Sequence, residues 1–373
     1  MAVSIGTAQP EDHPSPLHLV MSDDDFAFAF LEICDAQTIY RLQRCCRPFC
    51  AATRRYCSSR FHLRRLTANR FFTETQTAAL RRLLRQTNAF IGGSQAVSLF
   101  SRQTFHTADL DIYVDHRTAS AWSQFFTRVC DYNFIPKRDQ PARWEEALEL
   151  EHWTVSIYQE IGTVLDFKLR RNESDWNVQL IVIPNTVSPL SSVLRYHSTA
   201  VMCFITADVA YCLFPRATIC NRRSMVLDTV HQRGRCEEAY NKYRQRGWTV
   251  EFREDILDDD IERMFRPGER WVGDGLTWRI QFGEDRGHAV RPEEDTPIAE
   301  CTTRIGPVLQ ASAFRLETDP QAVIKWEDLS HPRLYYTHAV GEVSDELLQW
   351  LTATTSDGEY IDSLLVSHLV SQR

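Results

Sequence analysis

Apolar and polar positions alternate with two different periods along the chain. From residue 23 to 66 the period is helical: Phe26, Phe28, Phe30, Leu31 and Ile33, then Ile39, Leu42, Cys46 and Phe49, then a third run over 51–66. Ser22 followed by Asp23, Asp24 and Asp25 reads as a helix start, a capping residue and then acids that complement the dipole. Asp35 starts the second run. Residues 73–89 form a further helix with Ala79, Leu80, Leu83 and Leu84 on one face. Shorter segments follow: a strand at 89–91, a helix over 94–100, a polar loop over 102–107, and a strand marked by Leu110, Ile112 and Val114. A helix over 119–130 packs Trp122, Phe125, Phe126 and Val129, and another covers 144–150. Strands are expected at 155–157, 163–169 and 178–183, the last two joined by a polar turn at 171–175.

Residues 189–204 read as a helix whose inner stripe carries His197, with further helices at 208–213 and 237–246. Beyond Trp248 the pattern changes. An acid run occupies 255–262, strands 271–282, a charged loop with two prolines 284–297, and helices lie around 346–351 and 360–370. Residues 1–22, with Pro10, Pro14 and Pro16, read as a disordered tail. No internal repeat is visible. The expected class is α/β in the α+β sense, a mixed sheet flanked by helices. The divisions are a helical unit at 23–72, a core with a helical extension at 73–250, and a C-terminal α+β region at 251–373.

Composition narrows this only slightly. Hydrophobic residues at 43% allow a sizeable core, and no apolar run reaches about 18 residues, so no membrane span is expected. The polar, acidic N-terminus lacks the features of a signal peptide, which points to the cytoplasm or nucleus. Eleven cysteines, an odd number without a secretory signal, argue against a disulfide framework. Cys45, Cys46, Cys50 and Cys57 lack the paired spacing of a zinc site and read as small helix residues. The net charge of −8 is uneven: between Ala36 and Arg85 there are twelve arginines and one acid, Glu74. Such a segment either docks on the acidic remainder or offers a surface to nucleic acid or an acidic partner.

One stretch carries chemistry. Phe90 and Ile91 lead into Gly92, Gly93 and Ser94; after fourteen intervening residues comes Asp109-Leu110-Asp111. Two glycines let backbone N–H groups approach a phosphate, and the helix that follows presents its unpaired N–H groups. Ser94 adds a hydroxyl. Asp109 and Asp111, two apart on a strand, share a face, where paired carboxylates repel unless a cation lies between them. They suit Mg²⁺ or Mn²⁺ beside a nucleoside triphosphate. Further residues with both a structural and a site reading are His197, Asp208, Tyr211 and the basic helix end Tyr240, Lys242, Arg244 and Arg246.

Strand, Gly-Gly-Ser, helix, loop and Asp-x-Asp strand, in that order over 90–114, resemble the nucleotidyltransferase superfamily. The resemblance implies phosphate contacts from Gly92, Gly93 and Ser94, and metal ligation by Asp109 and Asp111. Its third carboxylate would stand where Gln179 stands, in Val178-Gln179-Leu180-Ile181. Asp166 is the nearest alternative, but its face also holds Lys168, and an Asp–Lys surface pair is the simpler reading. Residues 23–72 resemble an F-box: an apolar helix, Asp35 and Thr38 in a turn, then Cys46-Arg47 before Phe49, with Ser22-Asp23-Asp24 in place of the usual Leu-Pro. That implies a Skp1-type adaptor as partner. Segments 90–114, 178–183, 196–202 and 211–215 are similar to a group of fungal, basidiomycete-type proteins with an F-box-like start, over roughly 25–280. Three functions are expected in turn: metal-dependent transfer of a nucleoside monophosphate to a hydroxyl or protein acceptor; an inactive transferase fold serving as an adaptor; and RNA binding through the Arg-rich segment.

Overall fold

The computed structural model describes residues 15–68, 70–150, 162–171, 173–227, 236–283, 306–354 and 360–373. The strand expected at 155–157, the loop at 284–297 and the first fourteen residues lie outside these. Residues 15–22, expected as part of a tail, instead form helix α1, Pro16–Ser22, with Pro16 in its first turn and the Ser15 hydroxyl capping it. Proline is compatible with a first turn because the N–H it lacks has no helical partner there.

Asp23 caps α2, Asp24–Ile33, by accepting from the Phe26 N–H at 3.0 Å. Asp35 caps α3, Ala36–Gln43, through the Thr38 N–H at 2.7 Å. The helix ends at Arg44, and Pro48 then opens α4, Arg47–Arg60, so the expected break before residue 51 falls earlier. Two shorter steps, α5 at Leu63–Thr67 and α6 at Glu74–Thr87, complete the helical part. Thr73 and Gln76 make a reciprocal capping box on α6, and Asn88 closes it at φ 57°.

The mixed α/β class is as expected. The chain lays down β1 (Phe90–Gly92), α7 (Gly93–Ser101), β2 (Leu110–Asp115), α8 (Ala119–Gln124, extended by a wide turn to Val129), β3 (Asn133–Ile135), α9 (Trp144–Glu149), β4 (Thr163–Arg171) and β5 (Ser174–Ile183). Then come α10 (Pro189–Leu194), β6 (Cys203–Ile205), β7 (Val209–Cys212), β8 (Arg223–Met225), α11 (Glu237–Gln245), β9 (Thr249–Glu251), α12 (Asp258–Met264), β10 (Gly268–Trp271) and β11 (Trp278–Gln281). The eight-stranded sheet runs β11-β7-β6-β1-β2-β5-β4-β3. Every neighbouring pair is antiparallel except β2 and β5.

Two expected helices are corrected. Residues 189–204 are α-helical only over α10, with a short 3₁₀ turn at Thr199–Val201 before β6, and 208–213 contains strand β7. Cys203, Phe204 and Ile205 are all fully buried, as are Ala210, Tyr211 and Cys212. A strand buried on both faces is apolar at every position, and its pattern cannot be told from a buried helix. The aromatic and β-branched residues decide for the strand.

The sheet also crosses the expected boundary at residue 250, since β11 pairs with β7 from Trp278↔Cys212 to Gln281↔Val209. Trp278 locks the helical unit to the core. Its ring packs against Tyr40 at 5.3 Å, Phe61 at 6.4 Å and Phe100 at 5.3 Å, and its indole N–H donates to Gln43 Oε1 at 2.7 Å. The main hydrophobic core draws on residues from Met21 to Val366, and a second, smaller cluster of Leu329, Leu334, Val340, Leu347, Leu351, Ile361 and Leu365 lies in the C-terminal part.

The remaining chain adds α13 (Gly306–Ala311), β12 (Ala313–Glu317), β13 (Val323–Lys325), β14 (Glu327–Leu329), β15 (His338–Val340), α14 (Asp345–Ala353) and α15 (Asp362–Ser371). Asp362, fully buried, accepts from the Tyr335 and Tyr336 N–H groups and meets His338 Nε2 at 2.8 Å. Tyr336 in turn receives the Asn88 amide at the end of α6. Half of the twelve arginines of the Arg-rich segment face carboxylates of the same chain: Arg55 pairs with Asp24, Arg64 with Glu74, Arg60 and Arg65 with Glu32, Arg81 and Arg85 with Asp208. No helix among the described residues is long and apolar enough to cross a membrane.

Candidate active site

The edge between β1 and β2 brings the two sequence signals together. Gly92 stands opposite Asp111 in the antiparallel register. Gly93 opens α7 with φ +62°, a backbone conformation that favours glycine. A Cβ built on Gly93 would collide with Asp111 Oδ2, so the carboxylate lies directly against the turn. Gly92 is closed in from the other side, where a Cβ would be 2.6 Å from the Tyr196 hydroxyl and 2.7 Å from the Tyr113 ring. Tyr196 donates to Tyr113 Oη at 2.7 Å, and Tyr113 stacks on Phe90 at 4.9 Å. The turn is thereby held as a rigid seat.

Asp111 lies on β2 and Asp109 immediately precedes the strand, near enough for the two charges to act on each other. Burial first, and then the neighbouring Asp109, push the Asp111 carboxyl up to about 7, with Lys242 acting in the opposite direction. Asp109 accepts the Asn177 amide at 3.2 Å. The loop before Asp109 is tied down at several points. Gln95 Nε2 donates to the Ala108 carbonyl at 2.8 Å, the Ser98 hydroxyl to the Gln103 carbonyl, and Arg70 to the Phe105 carbonyl at 3.2 Å. These bonds fix where the first aspartate enters the strand.

Gln179 occupies the position expected of a third acid. It is the register partner of Asp111 on β5, and on its other side it faces Asp166 on β4. Its amide donates to Asp166 Oδ1 at 3.0 Å. Asp166 therefore lies one strand beyond the pair, and its cation is Lys137 at 3.6 Å. The expected partner, Lys168, pairs with Asp175 at 2.7 Å instead, because that acid lies across the β4–β5 turn and Lys137 reaches Asp166 from beyond β3. Among the described residues no three His, Cys, Asp or Glu side chains converge as a metal site, the four N-terminal cysteines included.

Helix α11 covers the Gly-Gly-Ser turn. Ser94 is buried, and its hydroxyl accepts from Arg246 Nη1 at 2.9 Å and meets the Tyr243 hydroxyl at 3.2 Å. Burial pushes the Tyr243 phenol up to about 12. Arg246 lies 4.1 Å over the Phe105 ring. Loss of water and the Arg246 charge lower the Lys242 ammonium, while Asp111 and Asp109 act to raise it. Of the basic helix end, Arg244 turns away to Glu237 at 2.8 Å.

His197 lies in the turn after α10, not on a helix stripe, buried beside Tyr240 at 5.4 Å and Tyr243 at 6.1 Å. Burial lowers its imidazole to about 4. Asp208 and Tyr211 are not brought to the site: Asp208 holds Arg81 and Arg85, and Tyr211 stacks on Phe204 and accepts from Gln310. Sequence reading missed Asn177, Lys137, Tyr113 and Tyr243. Strand parity from Gln179 could have found Asn177; nothing local marks the others.

The chain matches no model of a known protein family and no curated protein.

Proposed function

We propose that this chain is a nucleotidyltransferase that moves a nucleoside monophosphate from a nucleoside triphosphate to an acceptor hydroxyl. The observation that carries the reading is the contact between Asp111 and the Gly93 turn, which sets a carboxylate directly against the backbone at the start of α7. A divalent ion suits this pair. Asp109 and Asp111 face each other's charge, and among the described residues neither has an ion-pair partner within reach. Mg²⁺ is commonly held by one or two carboxylates with substrate phosphates completing its shell. When bound, Mg²⁺ or Mn²⁺ would neutralise phosphate charge at this edge.

The chain's own groups supply the rest. Gly92 and Gly93 let Asp111 pack directly against the start of α7, whose first N–H groups are the donors a phosphate would use. Lys242 and Arg246 bring positive charge from α11. In the transfer, the acceptor oxygen forms a bond to the α-phosphorus. The bond from that phosphorus to the bridging oxygen breaks, pyrophosphate leaves, and the hydroxyl proton passes to water.

The test is label transfer from each α-labelled nucleoside triphosphate, with Mg²⁺ or Mn²⁺ and a mixture of RNA and cell protein. Incorporation by the wild type and its loss in an Asp109→Ala/Asp111→Ala variant supports the reading. No incorporation and no metal-dependent nucleotide binding overturns it.

A second reading, in which residues 23–72 serve as an F-box-like surface for a Skp1-type adaptor, is favoured by exposed apolar side chains on α1 and α2. Leu19 is 58% exposed, Phe26 53% and Ile33 84%. Co-purification with such an adaptor, lost on Leu19→Asp/Ile33→Asp substitution, tests it.

A further inference from the structure

We propose that the acceptor is a single-stranded nucleic acid, laid along a track of cations from α3 to the Asp109–Asp111 edge; this rests on the transferase reading above. Arg41 stands on α3 and Arg44 ends it, α3 packing against the turn Arg216–Asn221. Arg216 begins that turn and Arg222 ends it at φ 51°. Arg222 lies 4.7 Å over the Trp248 ring, Trp248 is 6.4 Å from Phe105, and Arg246 lies 4.1 Å over Phe105. Two guanidinium groups thus flank one pair of buried rings, and the second reaches Ser94. Lys242, one turn back on α11, completes the line at the aspartates.

None of these six cations forms an ion pair among the described residues; what sets them apart from Arg54 and Arg82, also without one, is that they adjoin one another through α3, the Arg216–Asn221 turn and the Trp248–Phe105 pair. The carboxylate close to the outer end is Asp35, which caps α3 through Thr38 and partly offsets the charges of Arg222 and Arg41. The neighbouring Arg223 is already neutralised by Glu251 and Asp260. Arg44 donates to the Gly275 carbonyl at 2.8 Å and Arg216 to the Arg263 carbonyl at 3.3 Å, so these groups are held in place without a carboxylate within ion-pair distance. The guanidinium fork matches phosphate oxygens, and a polyanion lying along the row would supply them. A triphosphate seated at Gly93 accounts for Lys242 and Arg246 only. The four outer arginines extend past it, in the direction from which further phosphodiesters would come. Transfer to a terminal hydroxyl needs a free strand end at the aspartates, which selects a single strand over a duplex.

The test is fluorescence anisotropy of a labelled single-stranded RNA of about 15 nucleotides with the full chain and no nucleotide. Arg41→Ala/Arg44→Ala/Arg216→Ala/Arg222→Ala is expected to weaken binding by at least about tenfold and to flatten the log–log salt slope by roughly 3, since each phosphate that a cation neutralises on a single strand adds about 0.7 to it. Replacement of the same four by lysine keeps the charge and most of the affinity. Arg54→Ala/Arg82→Ala, at two exposed positions off the track, leaves binding unchanged. No binding by the wild type, equal weakening in the off-track variant, a lysine variant as weak as the alanine one, or equal affinity for a duplex each overturns the proposal. The Asp109→Ala/Asp111→Ala variant keeps RNA affinity, so failure of transfer and failure of the acceptor track are read separately.

Discussion

The carboxylate of Asp111 fills the space that a side chain on Gly93 would need, and Gly93 holds φ +62°. Gly93→Ala therefore meets both a collision and a left-handed backbone, the latter worth roughly 1–2 kcal/mol by itself. The expected result is a lower melting temperature together with loss of Mg²⁺-dependent binding of a non-hydrolysable ATP analogue, read by calorimetry. A lower melting temperature with nucleotide affinity unchanged would separate the turn from the site.

Asp111→Asn is expected to stabilise the metal-free protein at neutral pH. The folded carboxyl is pushed up to about 7, whereas an unfolded aspartate titrates near 4. Between those values the folded state holds a proton that the unfolded chain has released, so wild-type stability falls as pH rises through the window. The variant lacks that decline. Its advantage in thermal melts should be greatest above pH 7, shrink toward pH 4, and diminish when Mg²⁺ is added to the wild type. An advantage independent of pH would show that Asp111 is not the cause.

His197 works in the opposite direction. Its folded imidazole is lowered to about 4, below the ordinary value of 6.5, and its buried Nδ1 has no hydrogen-bond partner. The unfolded chain takes up a proton that the folded one refuses, so stability declines as pH falls from 6.5 to about 4, by on the order of 3 kcal/mol. His197→Phe fits among Tyr240 and Tyr243 and should abolish this decline. Denaturant titrations at pH 7.5 and 5 compare the two; parallel losses in wild type and variant would assign the acid sensitivity elsewhere.

Gln179→Glu places a carboxylate between Asp111 and Asp166 and removes the amide that Asp166 now accepts at 3.0 Å. Without metal the variant should lose about 1–2 kcal/mol of stability. With Mn²⁺ it should recover, and bind the ion more tightly than the wild type in a calorimetric titration. A destabilisation that Mn²⁺ leaves untouched would mean that this position does not border the ion.

Several parts of the site were legible because they are local. Gly-Gly before a helix and an acid entering a strand two residues after another are spacings read directly from the chain, and backbone geometry keeps such neighbours together. Helix starts were legible for the same reason: Asp35 and Thr73 cap the helices beside them. The segments 189–204 and 208–213 were misread because their strands are buried on both faces, which leaves no polar alternation to count.

By itself, the sequence determined the order of elements around Gly93 and Asp111, the mixed α/β class and the neutral residue at position 179. Each of these depends on neighbours a few positions apart. Only the tertiary structure decided that Asp166 answers to Lys137, that α11 from residue 237 onward closes over Ser94, and that Trp278 ties the N-terminal helices to the sheet. These partners are separated by 29 to more than 140 residues. Pairings at such separations arise from the strand order of the sheet and from shape fit in the core, and neither leaves a periodic mark along the chain.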